Sequence, residues 1–447
     1  MARAERSSGP LVERWLAVPV AIGFAYSLIF LGLYGYLPAP YFYVPSDTFM
    51  DFSSPATFAY QGGAYDTFLT IYPPLSFVLL KLVSWGPCYS FNPSEEARNC
   101  DTYGISWLIL IYLINGFLIW RSFRKLDGDT AIPRTLALCA GLPMTYALER
   151  GNVMLFCFTC LILAYGPLVR SARWRWLFAG LAVNFKFYLI GTIFAQLLKH
   201  RWRWFEGALI ASLVIYLVTY AIYGAGSPRE IYANITVYAD SFEQAKLPEF
   251  WYPSSLQPIS LLLQGDTQFP AITALGSQAV VVASLVVRSI VLVATLTIVA
   301  AAAAAWWRPG AVPMHRLILL SIGIALINFE AGGYTQMILL FFVFFERWRG
   351  IGRPVAIIIA YILCIALDFP IAHSPEVVRD SYLGGREIIA EYSIGLGTLL
   401  RPLLVVLMLL SLALVTIRDV WAHARTHGWR SPLPWRRHGV SITEEAR

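Results

Sequence analysis

Two aspartates, Asp47 and Asp51, stand in the stretch SDTFMDFSSP (46–55), just beyond the first long apolar run of the chain. Farther on, the tetrapeptide ERGN (149–152) supplies Arg150 and Asn152, and NFKFY (184–188) supplies Lys186 and Tyr188. A carboxylate grouped with cations suits one reaction in particular. The carboxylate takes the proton of an attacking hydroxyl as general base, while Lys or Arg neutralises the charge that builds on a departing phosphate. An aspartate of ordinary acidity, about 3.9, is ionised at neutral pH and needs no tuning for that task.

The elements that must position these residues are apolar. The chain has 447 residues, 57% hydrophobic and 14% charged, with a mean hydropathy of +0.60. Its clearest apolar runs, 15–36, 104–120, 205–224, 279–305 and 395–416, approach or exceed the length of about 20 helical residues that crosses a bilayer. A polytopic membrane protein is expected. The first run is long and lacks a small-residue cleavage site, so it is read as a retained helix rather than a signal peptide. Most of the 34 Lys and Arg fall in seven clusters between apolar runs: 3–14, 121–134, 170–175, 199–203, 308–316, 347–353 and 418–447. That asymmetry marks cytoplasmic loops. It accounts for the net charge of +7 without a nucleic-acid partner.

Placing every basic cluster inside predicts an all-α bundle of about 10–12 transmembrane helices in a cell membrane. Both termini are then cytoplasmic, and residues 1–417 form one membrane domain followed by a basic tail, 418–447. The path leaves 37–103, 149–152, 225–278, 330–336 and 369–394 outside, where the candidate residues gather. Residues 177–198 lie between two basic clusters and must begin and end on one side. They are read as a re-entrant pair of short helices turning near Lys186, a break tolerated only where it lines a polar cavity. The stretch 71–85 is read as a juxtamembrane helix in the outer leaflet. That reading keeps Cys88 and Cys100 in an oxidising compartment, where a short loop suits a disulfide. Cys139, Cys157, Cys160 and Cys364 fall in apolar runs and read as core residues. No metal site is expected, since the CxxC of 157–160 has no accompanying thiol or His.

The order of these pieces resembles the GT-C superfamily of polytopic glycosyltransferases. Within it the chain is similar to glycosyltransferase family 87, the DUF2029 group of polyprenyl-phosphate-mannose-dependent mannosyltransferases. The likeness covers roughly residues 15 to 350. It rests on MDFSSPATFAYQGGAYDTFLTIYPPLSFVLL (50–80), ERGNVMLFCFTCLILA (149–164) and FAGLAVNFKFYLIGTIFAQLLKHRWRW (178–204). The resemblance implies an inverting transfer from a polyprenyl-phosphate sugar to a hydroxyl of a glycolipid or glycan acceptor on the outer face. It implies no cofactor beyond the lipid-phosphate donor. Carried over, the family's catalytic Asp falls on Asp51, with Asp47 as the fallback, and its helix-breaking Lys falls on Lys186. Phe187 stands where the family has Pro. Asn152 matches a Gly-Gln-x-Asn turn of relatives, and Arg150 does not clearly match.

Each candidate has a plainer alternative. Asp51 and Asp47 can cap helices, Lys186 can reach for the interface, and Arg150 can pair with Glu149. Tyr72, before Pro73 and Pro74, either stacks on a sugar or sets the entry angle of the next segment. Arg288, about ten residues into an apolar helix, is a functional candidate because a cation there is expensive. Two other functions compete. A polymerase or ligase of lipid-linked glycans tends to use Arg- and His-rich outer loops. The 225–278 loop instead has Arg229 and Lys246 against Glu230, Asp240, Glu243, Glu249 and Asp266. A transporter of polyprenyl-linked glycans predicts inverted repeats with acids inside helices.

Overall fold

Runs of Leu, Ile, Val and Ala with few charges fold as helices, because a backbone out of water must satisfy its own hydrogen bonds. A computed structural model describes residues 9–41, 45–244, 252–257, 259, 276–373, 376–391 and 393–429. The helices in chain order begin with α1 Gly9–Tyr34, α2 Met50–Gln61, α3 Pro74–Val83, α4 Gly86–Tyr89, α5 Ser94–Cys100, α6 Thr102–Leu126, α7 Ala131–Cys139 and α8 Leu142–Arg150. Next come α9 Met154–Tyr165, α10 Ala172–Phe185, α11 Ile190–Leu198, α12 Trp202–Tyr223 and α13 Pro228–Gln244. The last are α14 Ser277–Trp307, α15 Met314–Asn328, α16 Gln336–Val343, α17 Gly352–Cys364 and α18 Gly397–His427. Five of these, α1, α6, α12, α14 and α18, are long and apolar enough to cross a membrane, as expected of a membrane protein. The other apolar stretches are shorter helices. One expected span, 132–148, is divided at Gly141, whose extended backbone leads into Pro143 in the first turn of α8.

Contacts between distant segments gather the basic clusters at one end. The Arg134 guanidinium meets Glu13 at 2.6 Å. The Lys199 ammonium donates to the carbonyls of Pro309 and Val312 at 2.6 and 2.7 Å. Arg316 bonds both Glu346 and Asp419, and Arg353 also reaches Asp419. Residues 418–427, expected as the start of a tail, therefore continue α18 and are tied into the bundle; residues 430–447 lie outside the described residues. At the other end, the Asn234 amide donates to the carbonyls of Tyr65 and Thr70, and Glu330 accepts from the amides and hydroxyls of Ser254 and Ser255. Lys246, Glu249 and Asp266 lie outside the described residues.

The segment between two basic clusters doubles back. Trp176, early in α10, lies where a side chain on Gly207 would collide with it, and Asn184 donates to Ser212. α10 thus runs alongside α12 in the same direction. Phe187 reaches the level of Tyr216 at 6.2 Å, and α11 then returns until Phe194 meets Phe205 at 5.6 Å. The break falls at Lys186, whose extended backbone (φ −144°, ψ 109°) ends α10. Neither half is long enough to span a bilayer alone.

One departure from an all-helical chain lies between α17 and α18. Strands β1 Pro370–His373 and β4 Ser393–Gly395 pair antiparallel, as do β2 Val377–Ser381 and β3 Arg386–Ala390. The β2–β3 turn places Gly385 at φ +63°, a conformation glycine adopts without a steric cost. Cys88 and Cys100 are joined by a disulfide, which ties α4 to α5 beside α2.

Candidate active site

The site is built on the hairpin between α8 and α9. Helix α8 ends at Arg150, and Gly151 takes the left-handed conformation (φ +67°) that turns the chain. A Cβ on Gly151 would sit 3.0 Å from the Cα of Phe49, so the residue is small for two reasons. Asn152 follows, and its side-chain oxygen accepts from the N–H of Met154, the first residue of α9, at 2.9 Å. With its oxygen so used, the Asn152 amide is aimed at Asp51 and donates to Oδ2 at 2.7 Å.

Asp51 lies in the first turn of α2, not at its cap; the cap position is Phe49. The Asp51 Oδ1 accepts from Arg150 Nη2 at 2.5 Å, and Arg150 Nη1 bonds Asp47 Oδ2 at 2.6 Å. One guanidinium therefore holds both acids of the opening stretch. Asp51 keeps 18% of its side chain exposed and Asp47 34%, so each carboxylate remains reachable. Arg150 is thus engaged by both Asp47 and Asp51.

Three residues not singled out from the sequence brace this loop. Phe49 sits at φ +62°, a strained conformation for a residue with a side chain. Its N–H donates to the Glu149 carbonyl at 2.8 Å. Arg98, on the disulfide-tied α5, donates to the Thr48 carbonyl at 3.1 Å and also bonds the Ser46 carbonyl. Its guanidinium lies 4.4 Å over the ring of Tyr382, in the turn between β2 and β3. Arg98 is the only base between the two cysteines, which is the one signal in the chain that could have pointed to it.

Lys186 arrives from the other side. Its side chain is buried at 9% exposure, and its ammonium lies 4.1 Å over the ring of Tyr72. No carboxylate pairs with it among the described residues. A buried ammonium facing only an aromatic ring is electrostatically incomplete. The hydroxyl of Tyr188, two residues on, is also buried and meets no partner among the described residues. The end of α10 that carries Lys186 packs against α9, the helix that follows Asn152. The Lys186 N–H donates to the Ala182 carbonyl, which also receives the Cys157 thiol at 3.6 Å. Arg288 is not brought to this place: it is exposed on α14, which packs mainly on α18, α15 and α11. Its apolar neighbours in sequence hid the fact that this helix face is the outside of the bundle.

Comparison with protein-family models, with curated proteins and with solved structures returned no match in any of the three.

Proposed function

We propose that the chain is a membrane glycosyltransferase that moves a sugar from a polyprenyl-phosphate donor to a hydroxyl acceptor, with inversion. The GT-C type and mannose as the sugar follow from the family resemblance. The observation that carries the reading is a reachable carboxylate, Asp51, held on both oxygens at the head of α9. Beside it in the reading stands a buried ammonium, Lys186, at the break after α10, set over the Tyr72 ring and with no carboxylate partner among the described residues.

In this reading the acceptor hydroxyl loses its proton to Asp51 as its oxygen bonds to the anomeric carbon. The bond from that carbon to the phosphate oxygen breaks on the opposite face, and the phosphate leaves with the electron pair. Lys186 neutralises that charge, and the exposed edge of Tyr72 contacts the sugar or the lipid phosphate. Arg150 and Asn152 act as positioning residues, since they fix the orientation of Asp51 rather than meeting the substrate. Asp51 is preferred to Asp47 because both of its oxygens are held, whereas Asp47 is held by one. The gathering of basic clusters at the end opposite the site supports cytoplasmic termini and a site on the outer face of a cell membrane.

The test is the purified chain in lipid nanodiscs, incubated with a panel of polyprenyl-phosphate sugars while release of polyprenyl phosphate is followed. Turnover with at least one donor, lost on Asp51→Asn, is the expected result. Full turnover in Asp51→Asn, or none with any donor and a supplied glycan acceptor, would remove the reading.

A further inference from the structure

Helix α14 carries a charge that the bundle leaves unanswered. It is held against α18, α15 and α11, with Ala294, Ile298, Ala301 and Ala305 buried. It is also the least covered of the five long apolar helices. The opposite side presents Val281, Leu285, Arg288, Leu292, Leu296 and Val299, spaced three or four residues apart and so stacked on one face. The five apolar members of that row are 50–59% exposed, and Arg288 is exposed among them. No carboxylate pairs with it among the described residues.

In a bilayer a bare guanidinium on the outside of a helix bundle is costly. Arginine escapes that cost by reaching for the headgroups, but the residues before Arg288 work against it. Two apolar turns, 280–287, come first, and Val281, Val282, Leu285 and Val286 there are exposed. Those side chains call for hydrocarbon around them. With Val281 in hydrocarbon, Arg288 lies about 10 Å of helix rise deeper still.

We propose that this face of α14 docks a membrane-spanning helix of another polypeptide, and that a carboxylate near the middle of that helix pairs with Arg288. Charge complementarity selects the occupant. A second copy meeting this face about a two-fold axis would set Arg288 against its own counterpart at the same depth, where like charges repel. Nor do the long helices of this chain supply the acid from another face. They carry three carboxylates, Glu13, Glu206 and Asp419. Glu13 is paired with Arg134, and Asp419 with Arg316 and Arg353. Glu206 is exposed, but it lies one turn into α12, whose Trp202 meets Trp306 at 6.1 Å. Trp306 is at the far end of α14, about 27 Å of helix rise from Arg288. The row of Val and Leu at three- and four-residue spacing is the kind of ridge on which a partner helix packs. The docking face stands independently of the sugar-transfer reading.

The test uses the full chain in phosphatidylcholine vesicles. The probe is a synthetic apolar helix of about 20 residues with one Asp at its centre. Association is read by energy transfer between dyes on the probe and on the chain. Saturable association is expected with wild type. It should be at least tenfold weaker with Arg288→Leu, and equally weakened for a probe with Leu in place of the Asp. Arg288→Asp should reverse the preference and bind a probe with a central Arg instead. Arg288→Leu extends an exposed apolar row, so its melting temperature should match wild type and the comparison is between folded chains. No association of the Asp probe with wild type, or equal association with wild type and Arg288→Leu, would overturn the docking face. Phosphatidylglycerol retained by wild type and lost on Arg288→Leu, with no preference for the Asp probe, would make Arg288 a headgroup site and overturn it as well.

Discussion

The Arg150 guanidinium holds Asp51 at 2.5 Å and Asp47 at 2.6 Å, one acid on each terminal nitrogen. This arrangement separates the two acids by role. Asp51 also receives the Asn152 amide, so its orientation is set by two independent groups. Asp51→Asn is expected to lower sugar transfer by at least 10³-fold, within the range for loss of a general base. Asp47→Asn, which leaves Asp51 and its two donors in place, is expected to cost less than tenfold. The measurement is initial rate of polyprenyl-phosphate release for each variant at equal folded protein. Equal losses in the two variants would reverse the assignment.

Removing the shared cation acts on the fold first. Arg150→Ala leaves two neighbouring carboxylates without this counter-charge, and the Arg150 side chain is 10% exposed. Breaking a buried pair from one side costs about 3–5 kcal/mol, and the partial exposure of both acids lowers that to about 2 kcal/mol here. Adding Asp47→Asn to Arg150→Ala should recover part of the loss, since it removes one of the repelling charges. Thermal melts of the two variants and wild type in the same detergent decide the matter. Arg150→Lys should fail to rescue activity, because a single ammonium does not reproduce the fork that holds both acids.

Much of this organisation was legible in the chain and some was not. The helical character and the long apolar helices followed from composition, because runs of about 20 apolar residues report a bilayer directly. The break at Lys186 was forced by two basic clusters only 22 residues apart. Asp51 and Asn152 could be named because the polar residues between apolar runs were few. Arg98 was missed because its bond to the Thr48 carbonyl joins positions 50 residues apart in the chain. Arg288 misled because depth along a helix can be counted in residues, whereas the face it presents cannot. The two small ladders of 370–395 carry β-branched residues around a Gly-Gly turn, a pattern masked by the expectation of a plain loop.

Lys186 is a buried candidate whose charge stands without an anionic partner among the described residues. Lys186→Gln is expected to weaken binding of an anionic polyprenyl phosphate by about 10–100-fold, the worth of a charge-assisted hydrogen bond. Thermal stability should stay level or rise, since the substitution removes a buried charge. Unchanged affinity for polyprenyl phosphate would take Lys186 out of the donor site.

The disulfide should matter to the site and not only to stability. It fixes α5, and α5 carries Arg98, whose guanidinium holds the carbonyls of Ser46 and Thr48. Cys88→Ser/Cys100→Ser is expected to destabilise the chain by about 2–3 kcal/mol, as for other short closed loops. It should also lower kcat with little change in donor affinity, because Lys186 and Tyr72 do not depend on α5. Measuring kcat and donor binding separately in that variant tests the coupling. A loss confined to thermal stability would leave the disulfide as a staple alone.

Glu149 makes stability depend on pH in a direction that can be worked out. Burial, with help from the Asp51 and Asp47 charges, raises its carboxyl from 4.5 to about 7 in the folded chain, and Arg150 and Thr48 only partly offset that. Between those two values the folded state holds a proton that the unfolded state has lost, so stability falls as pH rises. The contribution is fully present below about 4.5 and is lost as pH passes through about 7. The difference between the limits is on the order of 3 kcal/mol, since a tenfold change in proton affinity is worth about 1.4 kcal/mol. Glu149→Gln has no proton to lose and keeps a side chain that bonds Thr48. Its melting temperature should therefore equal or fall below wild type at pH 5 and exceed it at pH 8. A wild-type-to-Gln gap that stays constant across that range would show that Glu149 is not the buried titrating group.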